Sequence, residues 1–400
     1  MKRKCFIRPL LWLLACLIAL APACMAEAAT QATDAGVRVE CGVLGIKKHG
    51  NLVLDISCAA LMSQGFEYGD ILRVEIAGGA YEIPLCSNYS DVDNGALICR
   101  AVEDDPNEGG SVELAINMGD LATWLGIAGK VKIEEDPGFR WDYAGAYADG
   151  VSVALSILEK GGYLEQFELH RLTRSNERTD YPDLTDEQYA NFRNIATTGM
   201  GANVLYRSSS PVNPEINRNR EADAAVNAAG IRTVINLTDS AGVMKGYEDY
   251  AYTCYAALDV LPLDMVVDFS SEAFRDSLAE GLRFLAAREG PYLVHCTEGK
   301  DRSGFVCAVL ECLMGATARE VYDDYMLTFY NYYGIAPGDD KYDAVLNSNI
   351  ARFLARAFGV QDIAAGGVDL SACAKAYLQG LGLTGEEIAA LKDRLGTDIK

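Results

Sequence analysis

Apolar and polar residues alternate with a period of two along much of the first half of the chain. Leu72, Val74 and Ile76 lead up to Ala77-Gly78-Gly79-Ala80, and Tyr81, Ile83 and Leu85 lead away from it, which predicts a hairpin. Val112, Leu114, Ile116 and Met118 keep the same period. Val151, Val153, Leu155 and Ile157 repeat it up to a Lys160-Gly161-Gly162 turn, and a further run through Phe167 and Leu169 reads as its return strand. Glu103-Asp104-Asp105-Pro106-Asn107 and Asp136-Pro137-Gly138 punctuate these runs as loops. Strands at this spacing predict a small all-β, barrel-like module over residues 36–172.

From about residue 175 the period changes. Ala222, Ala225, Val226 and Ala229 lie at helical spacing up to Gly230, and Ile231-Arg232-Thr233-Val234-Ile235 follows as a buried strand. Phe274, Leu278, Leu282 and Leu285 mark a second amphipathic helix, stopped at Glu289-Gly290-Pro291, and Tyr292-Leu293-Val294 is again a short strand. Phe305–Leu313 is apolar at helical spacing, and Thr317 with Glu320 forms a capping box for the next helix. Strands alternating with helices predict an α/β domain over residues 175–360, with a central, mostly parallel sheet flanked by helices. Residues 365–400 read as a small helical appendage.

The N-terminus carries Lys2, Arg3, Lys4 and Arg8, then an apolar run from Pro9 to Ala26 and a small-x-small site at Ala26-Glu27-Ala28. That order predicts a signal peptide over residues 1–28 and export to the cell envelope or beyond, with an uncleaved membrane anchor as the rival reading. The net charge is −22, and losing this segment's four basic residues and one acid takes it to −25. Such a charge disfavours nucleic acid and anionic membrane surfaces, which select basic patches. An anionic substrate then requires a locally positive pocket. Nine of the twelve cysteines lie beyond the leader, an odd number without CxxC spacing, so most read as small buried hydrophobes.

The chemistry gathers in Tyr292-Leu293-Val294-His295-Cys296-Thr297-Glu298-Gly299-Lys300-Asp301-Arg302-Ser303-Gly304, between a strand and a helix. In an open α/β sheet that is where ligands bind, and the turn and first helical residues aim backbone N–H groups at an anion. Cys296 opens the loop and Arg302 closes it. An electropositive loop is where a cysteine reacts as its thiolate, and a guanidinium holds two phosphate oxygens at once. Thr297 to Ser303 thus form a candidate phosphate cradle, with Ser303 placed to assist the thiolate when it leaves. A zinc pair at His295-Cys296 needs further ligands, and the other histidines, His49 and His170, lie far away in the β-region, so no metal or other cofactor is expected. A disulfide through Cys296 leaves the arginine and glycines without a purpose. His295 is expected to orient the loop by hydrogen bonding and not to carry a proton.

Residues 295–304 resemble the signature of the cysteine-dependent protein tyrosine and dual-specificity phosphatases, and within them the atypical bacterial branch with Gly-Lys-Asp-Arg in the loop. Tyr206-Arg207-Ser208-Ser209, Ile231–Ile235 and Asp324-Tyr325-Met326 are similar to other segments of that branch. One departure stands out: Asn236-Leu237-Thr238 replaces the branch's usual Asp-Leu-Arg. The resemblance implies a phosphocysteine intermediate and a phosphorylated protein, lipid or inositol substrate. It implies a general acid at Asp301, while Asp264, thirty-two residues before Cys296, is the position used by ordinary family members; Asp259 and Asp268 are its neighbours. Lys300 adds charge that suits multiply phosphorylated inositols, and Glu298 offsets part of it. The aromatic run Tyr322, Tyr325, Phe329, Tyr330, Tyr332, Tyr333 reads as core packing before it reads as a lid.

Phe66-Glu67-Tyr68-Gly69-Asp70, Asn88-Tyr89-Ser90-Asp91-Val92 and Glu159-Lys160-Gly161-Gly162-Tyr163 are similar to the C-terminal β-domain of S-adenosylmethionine hydrolases. The half of that family bearing most of its catalytic residues is absent, so the module is expected to bind or support, with an unknown partner. The sequence therefore predicts an exported phosphomonoesterase acting on phosphotyrosine, phosphoinositides or inositol phosphates. The alternative is a non-catalytic phospholigand-binding protein whose β-module recruits a partner.

Overall fold

A computed structural model describes residues 37–103, 110–133 and 138–399. The expected signal peptide at residues 1–28 and most of the two expected loops at 103–107 and 136–138 lie outside the described residues. No helix among the described residues is long and apolar enough to cross a membrane.

The first part is a closed seven-stranded barrel. Its strands are β1 (Arg38–Ile46), β2 (Leu52–Leu54), β3 (Ile71–Ile76), β4 (Gly79–Cys86), β5 (Leu97–Val102), β6 (Ser111–Ile116) and β9 (Ser152–Glu159). They close in the order β1-β2-β6-β5-β4-β3-β9, with the small hairpin β7 (Ala128–Lys132) and β8 (Phe139–Tyr143) outside. The period of two does the work expected of it: Leu72, Val74 and Ile76 of β3 all point into the core. Ala77 and Gly78, with φ of 50° and 75°, form the two-residue turn into β4, a left-handed geometry that matches the twist of the flanking strands.

One expected strand is a helix. Leu164–His170 is helical, with Phe167 and His170 buried one turn apart and Leu164 exposed. Phe167 stacks on Tyr68 with ring centroids 5.6 Å apart and packs against Val92, Ile98 and Ala115, so a spacing of three decides the element where a spacing of two had been read.

The second part is a five-stranded sheet in the order β10-β11-β14-β12-β13, formed by Arg193–Asn194, Leu205–Ser208, Tyr292–His295, Thr233–Asn236 and Asp259–Pro262. All pairings are parallel except the edge pair β10-β11. Helices cover both faces. On β14, Tyr292 and Val294 face the main core built from helices Glu272–Ala286, Asp301–Met314 and Ala318–Tyr333, while Leu293 faces a smaller cluster with Val226, Val234 and Tyr255. The capping box of Thr317 and Glu320 opens the helix Ala318–Tyr333 as expected.

The C-terminal helices Leu370–Gly380 and Gly385–Gly396 are not an appendage. Leu378, Leu383, Leu391 and Leu395 belong to the main core, and the Gly201 N–H donates to the Leu395 carbonyl at 2.7 Å. Their apolar faces complete the sheet's cover. The nine cysteines among the described residues are all unpaired, and six are buried.

Candidate active site

The central strand β14 ends at His295, and the helix Asp301–Met314 begins six residues later. Cys296 stands at the strand's carboxyl end, only 4% exposed. The intervening loop is gripped from behind by its carbonyls. Ser210 N–H donates to Thr297 O at 3.0 Å, Tyr332 OH to Glu298 O at 2.8 Å, and Arg207 Nη2 to Gly299 O at 2.7 Å and Lys300 O at 3.2 Å. Across a planar trans peptide the next N–H points opposite to the carbonyl, so residues 298–301 turn their N–H groups away from this scaffold, toward the Cys296 side. Gly299, at φ 66°, is compelled twice: it is left-handed, and a Cβ there would lie 2.1 Å from the Ser208 carbonyl oxygen.

Arg302 is held the same way. Its Nη1 donates to the carbonyls of Met265 (3.0 Å) and Leu237 (3.2 Å), fixing one edge of the guanidinium against the neighbouring loops. The Asn236-Leu237-Thr238 departure is accommodated locally: Asn236 Oδ1 accepts from the N–H groups of Thr238 (3.0 Å) and Asp239 (3.1 Å), which leaves Leu237 O free to meet Arg302. His295 is fully buried, bonded to Tyr255 OH at 2.7 Å through Nε2 and to Cys296 O at 3.3 Å through Nδ1. Burial lowers its pKa to about 4, so the ring is neutral at ordinary pH. Ser303 Oγ is buried with no partner among the described residues.

The charges of the loop form a compensated chain. Arg174 meets Glu298 at 2.6 Å, Glu298 meets Lys300 at 2.9 Å, and Lys300 lies 3.7 Å from Asp301. Burial by itself raises Glu298, but Lys300 and Arg174 overcome it and hold its pKa down at about 2. Lys300 is thus spent largely on its two carboxylate neighbours. Asp301 lies on the same cavity as Cys296 and Arg302, and burial raises its pKa against the pull of Lys300. Asp264 is not on that cavity. It sits at φ 45° and is bridged to Lys48 of the barrel at 2.5 Å. Asp259 pairs with Arg288 at 2.7 Å, and Asp268 accepts from the Ser270 N–H and hydroxyl.

Sequence reasoning named the segments of Arg207 and Asp324 without giving them a role, and missed Asn191 and Arg193, which stand with them behind the loop. Arg207 is completely buried and pairs with Asp324 at 2.7 Å, which also binds Arg193 at 2.7 Å, and Asn191 Nδ2 donates to Glu298 O at 3.2 Å. The available signal was an arginine inside a four-residue strand buried at every position. Of the aromatic run, Tyr325, Phe329 and Tyr332 are buried and Tyr330 is exposed, which is core packing.

The placement of His49 corrects the sequence reading that set it far from the loop. His49, Asn51, Tyr89 and Asn117 of the barrel line the same cavity, of about 280 Å³, as Cys296, Lys300, Asp301 and Arg302. Burial, with Arg302 adding to it, lowers the His49 pKa to about 3. Among the described residues no three His, Cys, Asp or Glu side chains are grouped to hold a metal ion.

Comparisons with known proteins fit this division. Residues 42–134 match the pattern of the "SAM hydroxide adenosyltransferase C-terminal domain". No curated protein matches the chain. Among solved structures, an uncharacterized conserved protein from Thermotoga maritima is 19% identical over 30% of this chain and 36% of its own, with a TM-score of 0.22. The core catalytic domain of PP-IP phosphatase SIW14 from S. cerevisiae, in complex with citrate, is 17% identical over 42% of this chain and 89% of its own (TM-score 0.27). P. aeruginosa TpbA in complex with pTyr is 19% identical over 50% and 98% (TM-score 0.30). This chain therefore spans little more than a third of the T. maritima protein and nearly all of the other two. Residues 185–397 match the "Tyrosine phosphatase family" pattern, and because that match takes in more than half of the chain and the whole Cys296–Arg302 loop, the chain belongs to that family.

Proposed function

We propose that this protein is an exported phosphomonoesterase working through a phosphocysteine at Cys296. The observation that carries the reading is the loop itself: a buried cysteine at the end of the central strand, backbone N–H groups turned toward it, and an arginine clamped by two carbonyls at the loop's far end. The Cys296 thiolate attacks phosphorus in line, and the bond to the ester oxygen breaks. Thr297–Ser303 N–H groups and Arg302 hold the non-bridging oxygens as charge develops on them. Asp301 is the general acid, because it shares the cavity with Cys296 and is held toward its protonated form; it gives its proton to the leaving oxygen. Water then attacks the phosphocysteine, Asp301 carboxylate takes the water's proton, and phosphate leaves the thiolate. His295 braces the loop through Tyr255 and takes no part in proton transfer.

Either a phosphotyrosine or an inositol phosphate satisfies this chemistry. The basic and apolar N-terminus supports the export part of the reading. The test is hydrolysis of p-nitrophenyl phosphate by the mature protein in EDTA and a thiol reductant. Cys296→Ser is expected to remove that activity by about four orders of magnitude or more while still binding phosphate. Turnover surviving in that variant would sink the mechanism.

A further inference from the structure

The barrel does more than flank the phosphatase domain. Its 47–51 and 88–94 loops and the turn after β6 stand across the cavity from the catalytic loop. Three side-chain contacts hold them there: Lys48 to Asp264 at 2.5 Å, Arg352 to Asp93 at 2.5 Å, and Asn94 Nδ2 to Asn349 Oδ1 at 3.1 Å. The opening left to Cys296 is about 280 Å³, at the lower end of what holds a drug-sized ligand.

The chemistry of this facing wall is specific in one respect: it is uncharged. Among the described residues that line the cavity, the barrel supplies His49, Asn51, Tyr89, Asn117 and Met118 and neither lysine nor arginine. His49 is neutral above pH 4, and its Nδ1 is buried without a partner. The nearby Lys47 and Arg100 are turned onto Glu113, at 2.5 and 3.3 Å. On the catalytic side Lys300 is committed to Glu298 and Asp301, and Glu215 adds another carboxylate. Once a first phosphate occupies the cradle, a second one meets no unengaged lysine or arginine on the cavity lining: Lys48 and Lys130, behind His49, are turned to Asp264 and to the Lys48 carbonyl, and leaving an anion unpaired in such a cavity is costly. The amides, the imidazole and the apolar atoms of Met118, Val267 and Phe329 instead match a neutral leaving group.

Resting on the phosphatase reading above, we propose that the barrel is the leaving-group wall of the active site, restricting turnover to small, singly phosphorylated molecules with an uncharged leaving group. Inositol polyphosphates fail for want of cations. Phosphates on folded protein surfaces fail because the barrel occupies the approach.

The experiment compares kcat/KM of the full mature chain on four substrates: an aryl monophosphate, a hexose monophosphate, inositol hexakisphosphate and a folded phosphotyrosyl protein. One or both small monophosphates are expected to exceed the other two by at least about a hundredfold, a discrimination within reach of unpaired polar groups. Which of the two leads identifies the leaving group as aromatic or hydroxylated. Met118→Lys, checked for an unchanged melting curve, places one cation on the wall and is expected to raise the polyphosphate-to-monophosphate ratio about tenfold. Equal or faster turnover of the polyphosphate or phosphoprotein overturns the proposal while leaving the phosphatase intact. A ratio unmoved by Met118→Lys also overturns it. If none of the four substrates nor p-nitrophenyl phosphate is hydrolysed, the phosphatase reading falls, and this inference with it.

Discussion

The two halves of the molecule bury charge in opposite ways. In the phosphatase domain Asp324 sits between Arg193 and Arg207, all three shielded, and Arg207 in turn holds the loop carbonyls of Gly299 and Lys300. The barrel also buries a carboxylate, Glu113, at the centre of Lys47, Arg100 and Tyr89 OH at 2.6 Å, but Lys47 is half exposed there. A buried network with no route to water has to be complete, whereas one that opens to solvent can lose a member and rehydrate.

That contrast predicts the largest effect. Asp324→Ala takes from two buried arginines the carboxylate that hydrogen-bonds both, leaving only the more distant buried Glu311, and is expected to cost about 3–5 kcal/mol. Glu113→Gln is expected to cost about 1–2 kcal/mol, since Lys47 can turn outward and Arg100 is partly solvated. Urea unfolding of both variants decides it, provided the slopes match wild type. Equal losses would mean that the barrel's network is as closed as the other.

The second prediction separates the two aspartates that the sequence left in competition. Asp301→Asn is expected to lower kcat by about a hundredfold or more on an aryl ester, whereas Asp264→Asn changes it only a few-fold. The sign in pH follows from protonation: the acid works while it carries its proton, so activity falls as pH rises through the Asp301 pKa, which burial has moved upward. Asp301→Asn should therefore flatten the basic limb of kcat against pH, and Asp264→Asn should keep it. A basic limb lost with Asp264 instead would restore the ordinary family arrangement.

How far the sequence revealed all this follows from how local each feature is. Cys296 to Gly304 is one strand end, one turn and one helix start, so nearest-neighbour chemistry suffices to read it. The Arg207–Asp324 pair joins residues 117 apart, and nothing in either segment names the other. Spacing could not rank Asp301 against Asp264 for the same reason: the partner that engages Asp264 is Lys48, which lies in a different half of the chain. The barrel's strands were legible from a period of two, but the loops that reach the cavity carry Asn, Gly and His, residues that any solvated turn uses. His49 looked remote because distance along the chain was the only distance to be had. The helix at Leu164–His170 was misread because two apolar residues in a short segment fit either period.

The smallest effect is the one that best tests whether the barrel and the catalytic domain work as one site. Lys48 and Asp264 are each more than a third exposed, and pairs of that kind contribute about 0–1 kcal/mol. Lys48→Ala should therefore leave the urea midpoint nearly unchanged. Its consequence is expected in specificity: with one of the three straps gone, the barrel opens more often, and turnover of a folded phosphotyrosyl protein should rise about three- to tenfold relative to a small monophosphate. High salt should imitate the substitution in wild type, because an exposed ion pair is screened, and should add nothing in Lys48→Ala. A ratio indifferent to both the substitution and salt would show that Arg352, Asn94 and apolar packing alone set the barrel's position, and that Lys48 holds Asp264 without governing access to Cys296.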